Sequence, residues 1–145
     1  MNNSAEHTYK GECLGGSIKY KVDEIESKMG HCHCSMCRKF HGAAFATFGE
    51  AQAKKFHWIQ GKECLKTYTA PNGTKRQFCA HCGSSLIFIP SNDEGELIEF
   101  TLGTLDSPIM IKPDAHLFIG NKACWYEVSD KIPQFTKSRT NQLKT

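Results

Sequence analysis

Two groups of cysteines in the sequence have the spacing of metal ligands. Cys32, Cys34 and Cys37 form a C-x-C-x2-C cluster within "HCHCSMCRKF". Cys79 and Cys82 form the C-x2-C turn of "CAHCG", whose final glycine permits a left-handed backbone step. A C-x2-C turn directs two sulfurs at one point, and thiolates are ligands that zinc prefers. Both groups therefore predict zinc binding.

Each group needs further ligands to complete a tetrahedron. Cys13 in "GECLGG" is the candidate partner of the "CAHCG" turn. His31 or His33 is available as a fourth ligand of the C-x-C-x2-C cluster, although we expect both to be bystanders or hydrogen-bond donors to the ligands. The spacing is compatible with one shared metal ion or with one ion in each group.

Two cysteines remain, and we expect both to be small buried apolar side chains. Cys64 has one argument for ligation, as a fourth structural ligand. If Asn72-Gly73 forms a two-residue hairpin turn, Lys66 pairs with Cys79, and Cys64 then lies on the same face as Cys79. Cys124 has no such argument.

Length, charge and composition describe an ordinary globular chain of 145 residues with a net charge of +3. No basic stripe of the kind that binds nucleic acid is visible, so we expect no nucleic-acid partner. "MNNSAEHTYK" lacks the features of a signal peptide, and no 18-residue apolar run suggests a membrane span. We therefore expect a cytoplasmic or nuclear protein in which the thiols stay reduced and bind metal.

The elements that must position these cysteines are short strands. Alternation in "SIKYKV" places Ile18, Tyr20 and Val22 on one face. Further strands are predicted in "CLKTYTA", "TKRQFC", "SLIFIP", "ELIEFTLGTL", "HLFIG" and "WYEV". One short helix begins in "SMCRKFHG", with Ser35 as its N-cap. The pattern predicts one mainly β domain over 1–145, with its core at about 8–135 and a flexible C-terminal tail.

Four stretches of the chain resemble the family of glutathione-dependent formaldehyde-activating enzymes, which includes centromere protein V-like proteins. They are "GECLGGSIKY", "CHCSMCRKFHGAAFATF", "FCAHCGSSLIF" and "PDAHLFIGNKACWYEVSDKIPQF". The resemblance implies a fold of small β-sheets pinned by zinc, called a β-tent. It also implies two zinc ions per chain.

In the family, a C-x-C near the start and the later C-x2-C hold a structural zinc. Carried over, this site contains Cys13, Cys79 and Cys82. Gly15 stands where the family has its second cysteine, so the site must recruit Cys64, a histidine or water. We expect lower zinc occupancy here than at the other site.

The resemblance assigns a catalytic zinc to Cys32, Cys34 and Cys37, with one position left for water or substrate. It implies a carbon–sulfur lyase whose substrates are a small thiol and an aldehyde. Such an enzyme forms S-(hydroxymethyl)glutathione from the two or cleaves it in the reverse direction. His33 and His41 are the candidate proton carriers.

Other parts of the substrate site are less defined. Phe45 and Phe48 are candidate pocket walls. The carboxylates of glutathione would favour a cationic partner, and Arg38, Lys39 and Arg76 are available. The alternative function is a non-catalytic, zinc-stabilised module that binds a protein or nucleic acid, because fold alone does not fix function.

Overall fold

The computed structural model describes residues 8–139. Within this range the chain forms ten short strands and one α-helix, so the predicted mainly β class is confirmed. The elements are β1 (Tyr9–Glu12), β2 (Lys19–Val22), β3 (Gly30–Cys32), α1 (Ser35–His41), β4 (Ala46–Gln52), β5 (Phe56–Gln60), β6 (Leu65–Thr69), β7 (Lys75–Cys79), β8 (Ser85–Ile89), β9 (Leu97–Thr101) and β10 (Ala115–Leu117).

The described residues divide into two units, one of 8–27 with 49–110 and one of 28–48 with 111–139. In the first unit, β1, β2 and β5 form an antiparallel sheet with β2 in the centre. The alternation predicted around β2 is confirmed, because Ile18, Tyr20 and Val22 are all at most 1% exposed.

Tyr20 organises the aromatic core of the first unit. Its ring stacks on Phe56 at a centroid distance of 5.0 Å and lies 5.8 Å from Phe100. Its hydroxyl forms a hydrogen bond of 2.8 Å with Thr104 Oγ1. Burial raises the pKa of this phenol to about 12, so the ring stays neutral in the core.

An antiparallel meander of β6, β7, β8 and β9 completes the first unit. The hairpin between β6 and β7 is confirmed, but its predicted two-residue turn at Asn72-Gly73 is wrong. The Ala70 N–H donates to the Thr74 carbonyl at 2.8 Å, which makes a three-residue loop. Gly73 closes this loop with φ of 90°, the left-handed step that such loops require.

A carboxylate in the meander gives a testable pH dependence. Glu99 lies on β9, and its pKa is raised to about 7 by burial and by the nearby charges of Glu50 and Asp93. The folded state therefore binds this proton more tightly than the unfolded chain does. The resulting stability is present below about pH 4.5 and is lost as pH rises through about 7.

We predict that Glu99→Gln raises the free energy of unfolding at pH 8 by about 1–2 kcal/mol and changes it little at pH 4. Denaturant unfolding at the two pH values measures the difference. The matched control is Glu96→Gln, which removes an exposed carboxylate just before the same strand. Equal changes in both variants at pH 8 would contradict the assignment to Glu99.

In the second unit, β3 lies between β10, which is parallel to it, and the start of β4, which is antiparallel. The register places His31 between His116 and Thr47. Helix α1 follows β3 after two residues. This arrangement sets the "HCHCSMC" segment at the end of a central strand.

The last predicted strand, "WYEV", is wrong. Residues 125–128 form no strand, because the chain turns at Ala123, whose carbonyl accepts from the Tyr126 N–H at 3.2 Å. The Lys122 ammonium stabilises this turn by donating to the carbonyls of Ala123 and Tyr126. The residues predicted as a strand instead form the wall of a cavity.

The end of the described chain is held by hydrogen bonds. The Phe118 N–H donates to the Lys137 carbonyl at 2.9 Å, and Arg139 forms an ion pair with Asp114 at 2.8 Å. The rest of the predicted flexible tail, including Lys144, lies outside the described residues. Among residues 8–139, no helix has both the length and the apolarity to span a bilayer.

Candidate active site

The cysteines of the C-x-C-x2-C cluster converge in the second unit. Cys32 ends β3, Cys34 precedes α1, and Cys37 is buried in the first turn of that helix. Their three Sγ atoms all lie within 4.8 Å of one another. The strand, the cap position and the helix thus each contribute one sulfur to the group.

A sulfur, rather than the predicted Ser35 hydroxyl, caps helix α1. Cys34 is the N-cap residue, with extended backbone angles (φ −62°, ψ 152°), and its Sγ accepts from the Cys37 N–H at 3.2 Å. The N-cap prediction at Ser35 is wrong by one residue, because Ser35 already has helical geometry. The cap also fixes the separation between two members of the cysteine group.

The donor set fits a zinc ion. Sulfurs bonded to zinc at about 2.3 Å in a tetrahedron are about 3.8 Å apart, which is within the observed 4.8 Å limit. The sulfurs of Cys34 and Cys37 share hydrogen bonds with the Cys32 thiol and, together with burial, raise its pKa. Three adjacent thiolates repel one another, so a bound cation would relieve this repulsion.

A chain of hydrogen bonds begins at His33, between two of these cysteines. His33 Nε2 lies 2.8 Å from His116 Nδ1, and His116 Nε2 lies 3.1 and 3.0 Å from the two oxygens of Asp130. His33 and His116 are at most 1% exposed, whereas the Asp130 side chain is 43% exposed. The chain therefore connects the cysteine segment with the surface.

The second ring nitrogen of His33, Nδ1, takes no part in this network. Among the described residues, His33 Nδ1 is buried without a hydrogen-bond partner. Burial lowers the pKa of His33 to about 4, so its ring is neutral. Buried polar atoms are nearly always paired, which makes this nitrogen a candidate contact for a ligand.

Aromatic rings surround the histidines. Phe45 packs against His31 at 4.6 Å, His33 at 4.9 Å and Tyr126 at 5.4 Å, measured between ring centroids. Phe45 thus packs between two histidines of the segment and Tyr126, and its role as a pocket wall stays a prediction. Phe48, the other predicted wall, is buried and packs edge-on against His41.

The two predicted proton carriers therefore differ in their surroundings. His33 belongs to the buried network described above. His41 is the last residue of α1 and packs between Phe40 and Phe48. His31, the other histidine of the segment, forms a hydrogen bond of 2.7 Å with Thr47 Oγ1.

The second cysteine group lies in the first unit. Cys13 follows β1, Cys79 ends β7, and Cys82 belongs to the turn that follows. Their sulfurs also lie within 4.8 Å of one another. Backbone N–H groups point at two of these sulfurs: Ile18 donates to Cys13 at 3.3 Å and His81 to Cys79 at 3.4 Å.

The electrostatics of this group are uneven. Hydrogen bonds from the Ser84 side chain and from the backbone at Ser84 and Gly15 lower the pKa of Cys82 to about 6. Burial raises the pKa of Cys79. Cys82 is therefore stabilised as a thiolate, whereas the thiolate of Cys79 needs a nearby positive charge.

Cys64, the predicted extra ligand, is not a member of this sulfur group. The three-residue loop shifts the hairpin register by one, so that Leu65 pairs with Cys79. The predicted pairing of Lys66 with Cys79 is wrong, and so is the shared face of Cys64 and Cys79. A one-residue slip moves a side chain to the other face of the sheet.

The remaining candidates are not members of either sulfur group. Cys64 is half-buried and Cys124 is exposed, so the prediction that both are buried is wrong. Arg76 is buried, with its guanidinium 4.9 Å above the ring of Phe88. Arg38 donates to the Asn121 carbonyl at 3.1 Å, and Lys39 is exposed on α1.

Comparison with known proteins identifies the family. The family model described as glutathione-dependent formaldehyde-activating enzyme matches residues 8–121. The chain belongs to this family. The match includes both sulfur groups and the whole of β1 to β10. The sequence-based prediction of an enzyme of the glutathione-dependent formaldehyde-activating type is therefore confirmed.

Two curated relatives of this family enzyme match over most of their length. An uncharacterized lyase of Schizosaccharomyces pombe is 30% identical over 88% of this chain and 90% of its own. A putative glutathione-dependent formaldehyde-activating enzyme of Halomonas elongata is 29% identical over 84% of this chain and 82% of its own. A crystal structure of a Rhodobacter sphaeroides protein shares the fold, with a TM-score of 0.57 and 23% identity over 70% of this chain and 91% of that one.

Proposed function

We propose that the chain is a zinc-dependent carbon–sulfur lyase that forms or cleaves a small thiol–aldehyde adduct such as S-(hydroxymethyl)glutathione. The observation that carries this proposal is the convergence of three sulfurs, from Cys32, Cys34 and Cys37, in a chain of this family. In the forward direction a sulfur–carbon bond forms at the aldehyde carbon, and the thiol proton moves to the aldehyde oxygen. Cleavage reverses both changes.

Cys32, Cys34 and Cys37 would hold the catalytic zinc, and they leave a tetrahedral ion one further position. When bound, the ion supplies Lewis acidity, which polarises an aldehyde oxygen and favours a thiolate over a thiol. Cys13, Cys79 and Cys82 would hold a second zinc that stabilises the fold. The backbone N–H groups that donate to the sulfurs of Cys13 and Cys79 hold these side chains in place, which supports a structural role for the second group.

The protein's own groups would orient the substrate. Of the two candidate histidines, we favour His33, because it lies between two ligands and its free nitrogen, Nδ1, is an unused hydrogen-bonding atom. His116 and Asp130 would hold its ring in one orientation. Phe45 and Tyr126 pack over the histidines and would exclude water from them.

Isotope exchange in solution tests this proposal. We expect the zinc-loaded protein to accelerate the exchange of ¹³C-formaldehyde with its glutathione adduct, followed by NMR, relative to the buffer and to the zinc-free chain. We also expect glutathione, but not glutathione disulfide, to change the spectrum of cobalt bound at the Cys32 group. No acceleration, together with a cobalt spectrum that glutathione leaves unchanged, would overturn the proposal.

A further inference from the structure

A cavity of about 460 Å³ in the second unit lies beside the turn that replaces the predicted last strand. Lys122, Trp125, Tyr126 and Glu127 are among the residues that line it. Its volume is in the range of small-molecule sites. The chemistry proposed for the Cys32 group does not involve this cavity.

Two opposite charges line the cavity without neutralising each other. Lys122 is half-buried, and its ammonium donates to the carbonyls of Ala123, at 3.0 Å, and Tyr126. An ammonium has three N–H donors, so one remains for a ligand. Glu127 is exposed. Within residues 8–139, neither Lys122 nor Glu127 belongs to an ion pair.

Two contacts join residues in or next to the cavity wall to sequence neighbours of Cys32, Cys34 and Cys37. The ring of Tyr126 lies 6.1 Å from that of His33, which separates two of these cysteines. Arg38, the residue after Cys37 on α1, donates to the Asn121 carbonyl at 3.1 Å. The wall and the cysteine segment therefore belong to one packed region.

An exposed aromatic ring completes the lining. The Trp125 side chain is 71% exposed, which is unusual for so large an apolar group. A flat indole beside a cation and an anion suits a ligand with an aliphatic body and a dipolar end. A substrate thiol that carries an α-amino-acid group has this chemistry.

We propose that this cavity binds the zwitterionic α-amino-acid end of the thiol substrate, with Lys122 contacting its carboxylate and Glu127 its ammonium. Trp125 packs against the aliphatic part of the same ligand. The inference rests on the proposed function for the identity of the ligand as a thiol. It adds a recognition site for the end of the molecule that does not react.

S-Methylglutathione is the probe, because its sulfur is a thioether and has no thiol to ionise. We expect it to change the tryptophan fluorescence of the wild-type chain with saturation, and this change should be absent in Trp125→Phe. Lys122→Gln and Glu127→Gln should each weaken binding by roughly tenfold, since each removes a charged hydrogen bond. Lys131→Gln, which changes an exposed lysine that does not line the cavity, should bind as the wild type does.

A second probe separates the two charges. The analogue of S-methylglutathione that lacks the α-amino group should bind the wild type roughly tenfold more weakly, and Glu127→Gln should no longer distinguish the two ligands. Glu127 makes no hydrogen bond within residues 8–139, so Glu127→Gln should fold. The comparison of the two ligands therefore remains possible even if Lys122→Gln fails to fold. Equal affinities of Glu127→Gln and Lys131→Gln, or no binding of S-methylglutathione, would overturn the inference. Normal isotope exchange in that case would leave the lyase proposal standing.

Discussion

Cys34→Ser is expected to lower kcat/KM for adduct formation by about 10³-fold or more while leaving the fold intact. Serine is a favourable N-cap, so its hydroxyl can accept from the Cys37 N–H in place of the sulfur. It does not replace a thiolate as a zinc ligand. Lewis-acid stabilisation is worth several kcal/mol, and about 4 kcal/mol corresponds to 10³ in rate.

The measurement combines kinetics, zinc content and thermal unfolding. Cys64→Ser is the matched control, because Cys64 belongs to neither sulfur group and does not line the cavity beside Lys122. We expect the control to keep its zinc and its rate. A Cys34→Ser protein with full zinc content and near wild-type turnover would exclude this group as the catalytic centre.

Gly15→Cys is expected to raise the zinc affinity of the Cys13 group by about 100-fold or more. Losing a residue that only hydrogen-bonds to a ligand costs about 10- to 100-fold in metal affinity, and a direct ligand is expected to contribute at least as much. A Cβ added to Gly15 would lie 3.2 Å from Cys82 Cβ and 3.6 Å from Cys82 Sγ. A cysteine side chain at this position therefore begins beside the group and can supply a fourth sulfur. Structural zinc contributes directly to folding, so thermal stability in zinc should rise as well.

Chelator competition under reducing conditions measures this affinity. Reduction is needed because a Cβ–Cβ distance near 3.2 Å would also permit strained pairing with Cys82. Gly15→Ala adds the Cβ without the sulfur and is the control. In the wild type, we expect chelator to remove zinc from the Cys13 group before it removes zinc from the Cys32 group. Equal zinc release from the cysteine and alanine variants would contradict the predicted fourth ligand.

The sequence predicted the members of each sulfur group because ligand spacing is a local property. Cys32, Cys34 and Cys37 are close along the chain, and short turns bring their sulfurs together. The partnership of Cys13 with Cys79 and Cys82 depends on strand pairing. The sequence offered Cys13 as the candidate partner, and the resemblance assigned it to the site. Alternation around Tyr20 predicted the buried face of β2 for the same local reason.

Long-range contacts could not be predicted in this way. The network of His33, His116 and Asp130 connects residues 83 and 14 positions apart, and no pattern in the sequence links them. The predicted register of the hairpin was wrong by one residue, because Asn72-Gly73 fits both a two-residue and a three-residue loop. The two loops would place Cys64 on opposite faces of the sheet. The residues of "WYEV" have strand-forming side chains, but the hydrogen bonds of Lys122 favour a turn there.

The carboxylate of Asp130 determines which ring nitrogens of His116 and His33 donate and which accept hydrogen bonds. A carboxylate only accepts, so His116 must carry its proton on Nε2 and, when neutral, offers a lone pair at Nδ1. That lone pair accepts from His33 Nε2, and the neutral His33 ring is then left with an unprotonated Nδ1. When His116 is neutral, one surface side chain thus selects the tautomer of a ring in the interior, and the buried Nδ1 of His33 is an acceptor rather than a donor.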